Sequence, residues 1–235
     1  MTDTDPELPA RRWDDEYRRG RYLEDPPIAF VQKIVNVLTA RASIRSSPGL
    51  YIGCGNGRNY LPLVDAGLNL YGLDVAPEAL RVLARRRPAV SNHLICEDFA
   101  HFRSSIPFGY VIAIQVFQHG MAGDAAANFR KVSNLLRSGG LFFLRVNSAG
   151  TQVYYAHRTI ERTEAGGFTV RYLQGPKRDL PVHFFSLREL ELLTQDSFCL
   201  VDDIREEVIR RTPPQTGSWA QWEMVCERSH SGVEG

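Results

Sequence analysis

The chain has 235 residues, 43% hydrophobic and 23% charged, enough for one sizeable domain with a full core. Its net charge of +1 provides no overall field to draw it to nucleic acid or to a lipid surface. The opening "MTDTDPELPARRWDDEY" has no apolar signal core, and no apolar run approaches the roughly 20 residues that span a bilayer, so a cytoplasmic protein without membrane contact is expected.

In chain order, residues 1–10 and 229–235 read as loose tails. From Asp14 to about Arg45 the pattern is helical, with Ile28, Val31, Ile34, Val35 and Leu38 on one face and Pro26–Pro27 opening the longer helix. Residues 1–45 are therefore expected as an N-terminal helical cap segment, and 46–228 as the main domain. Within that domain "LYIGC", "LNLYGLDV", "NHLICEDF", "YVIAIQVF" and "LFFLRVNS" read as strands. Helices over 58–66, 77–87 and 124–137 alternate with them, the last broken by Gly139–Gly140. This alternation predicts an α/β fold with a doubly wound, mostly parallel sheet of seven strands. After Ser148 the rhythm stops. Residues 149–182 read as an irregular, substrate-covering insert. A capped helix follows over 186–195, and "CLVDDIREEVI" and "SWAQWEMVCE" predict a C-terminal antiparallel hairpin.

The four cysteines, Cys54, Cys96, Cys199 and Cys226, form no CxxC pair, so no metal site is expected. Each lies in or beside an apolar run, as a buried free thiol would.

The first strand ends in "GLYIGCGNGRNY", which crowds Gly53, Gly55 and Gly57 into one turn. Ligands of such sheets sit beyond the carboxyl ends of the strands. The dinucleotide fingerprint G-x-G-x-x-G would need a glycine where Arg58 stands, which disfavours a nicotinamide oxidoreductase. The second strand ends in Asp74, whose carboxylate suits ribose hydroxyls, and the third in "CEDFAHF", where Asp98 suits an exocyclic amine and Phe99 or Val75 a base.

These strand ends, from about Leu50 to Val146, resemble the class I S-adenosylmethionine-dependent methyltransferases. The first family motif looks like "YIGCGNGRN", the acid after it is Asp74 in "LYGLDVAPEAL", and the fourth-strand motif looks like "FGYVIAIQVFQH". "GLFFLRV" follows a "LLRSGG" helix end, as in the family. Departures are Gly109 and Gln115 where the fourth strand commonly carries acids, and Tyr51–Ile52 in place of an acid before the first glycine. The resemblance implies a Rossmann-like fold with S-adenosylmethionine as cofactor. It places Tyr51, Gly53, Cys54, Gly55, Asn56, Gly57, Asn59, Asp74, Val75, Asp98, Phe99 and Gln115 at that cofactor.

Methyl transfer needs two aligned reactants, and a base only where the acceptor must lose a proton. The place after strand four reads "QVFQ", without the proline motifs of base methylation, and a small organic acceptor is expected ahead of RNA. A non-catalytic cofactor-binding protein stays open as a further alternative. The segment "WDDEYRRGRYLEDPP" looks like the leading segment of the tellurite-resistance and thiopurine-like branch, which puts Trp13 and Tyr17 over the pocket. Phe117, Gln118, Arg145 and Tyr154 are the other candidate acceptor contacts, and His119 and His183 the candidate bases. A monomer or homodimer is expected.

Overall fold

The computed structural model describes residues 8–229, in two units divided after Ser105. In the first unit, helix α1 spans Leu8–Arg18, so it begins ahead of the expected onset at Asp14. The chain leaves this helix through left-handed Gly20 and Tyr22, and the Pro26–Pro27 pair precedes the next helix, as expected. It re-enters as α2, Ala29–Thr39, which buries Phe30, Val31, Ile34 and Leu38, and then as the short α3, Ala42–Arg45. Two prolines remove two backbone donors in succession, so no helix runs through them.

Strands β1 (Gly49–Ile52), β2 (Leu70–Asp74) and β3 (Leu94–Cys96) pair in parallel, Leu50 opposite Tyr71 and Leu73 opposite Ile95. Helix α4 (Tyr60–Asp65) joins the first two, and α5 (Pro77–Arg86) the last two, with Pro77 in its first turn, where no donor is lost. A tight helical turn over Pro88–His93 takes up the start of the third expected strand, so His93 lies outside β3, its ring 4.7 Å from that of Tyr71.

In the second unit, β4 (Phe108–Ile114) is buried along its whole length. After α6 (Ala122–Leu135), β5 (Leu136–Asn147) runs parallel to it. Gly139 and Gly140 therefore lie inside a strand, although they were expected to break a helix before it. The register shifts between Phe108 and Tyr110, and a Cβ on Gly140 would stand 2.8 Å from the Arg137 carbonyl oxygen and 3.1 Å from that of Gly109, so the irregularity needs glycine.

The insert is also more regular than its composition suggests. Strands β6 (His157–Arg162), β7 (Phe168–Tyr172) and β8 (Pro181–Phe184) form a separate antiparallel sheet. Val170, Val182 and Phe184 are its buried face, with Val153, Phe168 and Tyr172 packed against them. Helix α7 (Leu187–Thr194) follows, with Ser186 and Glu189 as its capping box. The last expected hairpin gains a strand. "CLVDDIREEVI" bends at residues 201–204, giving β9 (Phe198–Leu200) and β10 (Arg205–Arg210), both antiparallel to β11 (Ser218–Arg228), which in turn pairs with β5. Cys54 and Cys226 are buried thiols as expected, but Cys96 and Cys199 are exposed.

Candidate active site

The glycine turn closes β1 on left-handed backbone, with φ of 71° at Gly53, 54° at Gly55 and 94° at Gly57. The turn is held by Asp74 at the end of β2. Its Oδ2 accepts the Gly55 N–H at 2.7 Å and its Oδ1 the Ala76 N–H at 2.9 Å. Burial pushes the Asp74 carboxyl up to about 6, against the pull of those N–H groups and that of Val75. A carboxylate has about four acceptor positions, so two bonds leave it able to take a pair of hydroxyls. Asp98, after β3, is exposed, and one of its oxygens accepts the Ala100 N–H at 2.7 Å; Phe99 beside it is buried and Val75 half-buried.

The remaining turn residues are engaged internally. Tyr51 lies in the core, edge-on to Tyr60 at 6.1 Å, with Asn59 as a side-chain partner. Cys54 is buried, its sulfur 2.9 Å from where a Gly72 Cβ would be, so that glycine makes room for the thiol. The others bind the N-terminal segment. Asn56 Nδ2 donates to the Arg21 carbonyl at 2.8 Å, Arg58 Nε to that of Pro26 at 2.7 Å, and Asn59 Oδ1 accepts the Ile28 N–H at 3.1 Å. Asp14 accepts the Glu78 N–H at 2.9 Å, which fixes α1 to the first turn of α5. Tyr17 thereby reaches the turn itself: a Cβ on Gly55 would lie 2.5 Å from its hydroxyl oxygen. Burial and the Asp74 charge raise the Tyr17 phenol, so it remains a neutral donor. Trp13 stands behind it, the rings 6.3 Å apart.

In the second unit, the carboxyl ends of β4 and β5 carry a chain of amides. Gln115, left-handed at φ 58°, donates from Nε2 to Gln221 Oε1 at 2.9 Å, and Gln221 Nε2 and Trp219 Nε1 both donate to Asn147 Oδ1 at 3.3 Å. Gln118 Oε1 accepts the Asn147 N–H at 3.0 Å. Arg145 is buried and ion-paired with Glu207 and with Glu223, so its charge is compensated from β10 and β11. Phe117 packs into an aromatic core with Phe129 and Phe142, at 6.2 and 6.0 Å. Its side chain is a packing element.

The two histidines differ. His119 is half-buried and bridges backbone to backbone with Val182. Desolvation first, then the charge of Lys177, hold its imidazole well below the usual range, against a bond to the Gln115 carbonyl that also fixes its tautomer. It is a neutral base at pH 7. His183 is fully buried, with Nδ1 2.8 Å from Thr169 Oγ1 and Nε2 3.3 Å from Glu189 Oε2. Thr169 in turn donates to Glu161 Oε2 at 2.5 Å, and the same oxygen accepts the Ala122 N–H at 2.9 Å. With both ring nitrogens engaged, His183 ties β7 and β8 to α7. Tyr154 is exposed, under the Arg211 guanidinium at 5.8 Å.

Gln221, Glu189, Tyr172 and Arg211 were not expected at these clusters. The alternation in "FTVRY" and "PVHF" carries the signal for β7 and β8, and with it the opposed faces of Thr169 and Val170.

Residues 50–142 match a family model described as a methyltransferase domain. The match places a methyltransferase domain over that part of the chain. The Burkholderia thailandensis 1,6-didemethyltoxoflavin-N1-methyltransferase is similar in structure at 17% identity and TM-score 0.64, over 98% of this chain and 93% of its own. The magnesium protoporphyrin IX methyltransferase of Synechocystis PCC 6803, solved with bound S-adenosylmethionine, is 16% identical with TM-score 0.61, over 97% and 100%. The CcbJ methyltransferase of Streptomyces caelestis is 19% identical with TM-score 0.59, over 89% and 95%. At such identities the likeness is one of fold: the methyltransferase has the mixed, Rossmann-like α/β architecture. A search of curated protein sequences gives no match.

The methyltransferase uses S-adenosylmethionine, and its residues fit that cofactor. A buried acceptor-only carboxylate at Asp74 suits a diol, and the exposed carboxylate of Asp98 suits an amine. The turn beside them is glycine at 53, 55 and 57, so no side chain bars the close approach of a ligand, while their N–H groups are held by the Leu73 carbonyl, Asp74 Oδ2 and the Cys54 carbonyl. Among the described residues no helix is long and apolar enough to cross a membrane, and no group of acidic, His or Cys residues could hold a metal ion.

Proposed function

We propose that the enzyme transfers a methyl group to a small organic acceptor, at oxygen, nitrogen or sulfur, by in-line displacement. The cofactor supplies a methyl carbon already activated by its sulfonium. The chain then has to hold the reactants, exclude water and accept a proton where the acceptor must lose one. Asp74 holds the ribose diol, Asp98 and Phe99 the adenine, and the backbone of Gly53–Gly57 the amino-acid end. His119 is the proton acceptor. His183, Gln118 and Arg145 act on the acceptor side by fixing backbone and neighbouring side chains.

The observation that carries this reading is the Asp74 carboxylate, buried at the end of β2 and locked to Gly55 and Ala76. Structural neighbours named for toxoflavin and protoporphyrin chemistry support a small acceptor. So do several arginines of the first unit, whose charges are engaged close by. Arg18 pairs with Asp14 and Asp15, Arg19 and Arg21 with Glu16, and Arg87 with Asp65, while Arg86 donates to the Asn56 carbonyl. They leave little unpaired charge for a phosphate backbone. A soluble cytoplasmic enzyme, monomeric or homodimeric, is part of the same proposal.

Calorimetric titration of the full chain with S-adenosylmethionine and S-adenosylhomocysteine, with NAD as control, tests the reading. Micromolar binding of the first two and none of NAD is the expected result. No binding of either by a folded protein overturns it.

A further inference from the structure

The insert sheet has two faces of different chemistry. Glu161, Thr169 and His183 lie on one, already linked to each other and to Glu189. The other carries Val170, Val182 and Tyr172, and His119 joins it through its backbone pairing with Val182. Three tyrosines gather on this second face. The Tyr154 and Tyr155 rings meet at 5.2 Å, and those of Tyr155 and Tyr172 at 6.3 Å, both edge-on. Gly175 makes this packing possible, because a Cβ there would stand 3.1 Å from the Tyr155 ring.

What the tyrosines lack is more telling than what they touch. Among the described residues none of their three hydroxyls has a hydrogen-bond partner. For exposed Tyr154 that is ordinary. Tyr172 is half-buried with its hydroxyl open to solvent, where a ligand can take it; burial pushes its phenol up to about 12, with Arg211 pulling it down and Tyr155 adding to the rise, so it stays a neutral donor. The cations at this face are Arg211, over the Tyr154 ring, and Lys177, whose charge reaches His119. A π-wall, an unmet donor, two cations and a neutral imidazole together describe a partner with a flat ring, an anionic group and a proton to give.

We propose that this face binds the acceptor, and that the acceptor is an aromatic acid bearing a hydroxyl. The inference rests on the methyl-transfer reading. The acceptor ring packs edge-on to Tyr155 and Tyr172, and its carboxylate takes the Tyr172 hydroxyl and Arg211. Its hydroxyl proton passes to His119 as the oxygen forms its bond to the methyl carbon. The carbon–sulfur bond breaks with its electron pair kept on sulfur, leaving a neutral thioether, an aryl methyl ether and a protonated imidazole that returns its proton to solvent.

The test is calorimetry on the full chain in the presence of S-adenosylhomocysteine. The probes are para-hydroxybenzoate, cyclohexanecarboxylate, which has the charge without the ring, and benzylamine, which has the ring with the opposite charge. para-Hydroxybenzoate should bind at least about tenfold more tightly than either of the others, since both ring packing and charge pairing contribute. Tyr172→Phe and Arg211→Gln should each weaken it by at least about tenfold, as loss of one charge-assisted hydrogen bond would. Thermal melting of each variant checks folding. Tyr154→Ala, at an exposed ring, should weaken binding about threefold, and provides the test if Tyr172→Phe does not fold. Equal binding of the aromatic and saturated acids overturns the inference, as do variants within twofold of the wild type or no binding of para-hydroxybenzoate at millimolar concentration. Binding of S-adenosylhomocysteine is measured separately. Its failure counts against the methyltransferase reading, whereas cofactor binding without aromatic-acid binding counts against this inference alone.

Discussion

Replacing Asp74 with Asn separates the cofactor role of that carboxylate from its structural one. In the free enzyme the ionised carboxylate is disfavoured: the gap between the ordinary 3.8 and about 6 corresponds to about 3 kcal/mol at pH 7. Because the folded-state value is raised, this term lowers stability as pH rises from about 4 to about 6, and it is absent below that window. Asn removes the term. It also introduces an NH2 that must face either the Gly55 or the Ala76 N–H, since each carboxylate oxygen accepts one of them, at a cost of about 1 to 3 kcal/mol. The two effects nearly cancel, so Asp74→Asn should melt within a few degrees of the wild type at pH 7. At pH 4 it should melt clearly lower, because the wild type has by then lost its penalty. Binding has no such compensation. Two hydroxyl bonds to a charged acceptor are worth about 1.5 to 3 kcal/mol each, so the variant should bind S-adenosylhomocysteine at least about a hundredfold more weakly. For the wild type, affinity should fall about tenfold per pH unit below about 6, where the carboxylate must first lose its proton. Calorimetry and melting at both pH values read all of this. Binding by Asp74→Asn within threefold of the wild type, or affinity flat between pH 5 and 7, would refute the reasoning.

Four other substitutions bear on separate parts of the structure. Gly55→Ala meets both a left-handed backbone and the Tyr17 hydroxyl at 2.5 Å, and should lose about 1 to 2 kcal/mol from the backbone alone; urea melts of Gly55→Ala with and without Tyr17→Ala would show the steric share as the part recovered in the double variant. Glu189 is raised by burial, but the His183 and Thr163 bonds outweigh that and hold it below the usual carboxylate range, so its contribution is present above about pH 4 and is lost as pH falls through its lower folded value. Glu189→Gln should therefore cost about 1 to 3 kcal/mol in urea melts at pH 7, with the gap to the wild type closing in acid, and an equal gap at both pH values would contradict the assignment. Arg145→Met leaves Glu223 and Glu207 without their cation and should cost about 3 kcal/mol, read as a lower melting temperature that rises again when Glu223→Gln is added. His119→Asn should slow turnover of a hydroxyl acceptor by about a hundredfold while leaving S-adenosylhomocysteine affinity within twofold.

The first unit was largely legible because its elements announce themselves locally. Parallel strands buried on both faces read as short apolar runs, and the glycine spacing at 53, 55 and 57 marks the turn. Asp74 and Asp98 could be located for the same reason, since Asp74 ends β2 and Asp98 follows shortly after β3. Errors arose where the period of the pattern was ambiguous. Leu136 to Gly140 continues a helical pattern, yet it is a strand that tolerates glycine at a shifted register. Residues 157–184 looked irregular because their alternating pattern is interrupted by charges on both faces, and because buried Thr169 and His183 are polar. The role of His183 was illegible for a deeper reason. A base and a buried tie look alike in sequence, and only the partners of both ring nitrogens, Thr169 and Glu189, tell them apart. The same holds for Arg145, whose two acids come from strands about 60 and 80 residues away, at Glu207 and Glu223.

The bonds from Asn56, Arg58 and Asn59 to the segment before α2 span only 35, 32 and 31 residues along the chain. They can therefore close early, before any pairing with distant strands, at a modest loop-closure cost. As the chain leaves the ribosome, residues 8–59 contain every group needed for this closure, so the turn can take shape on an already docked segment. A shortened chain starting at α2 would still contain all the glycines of that turn. It would have lost the carbonyls of Arg21 and Pro26 that satisfy its donors, and would form the loop without its clasp.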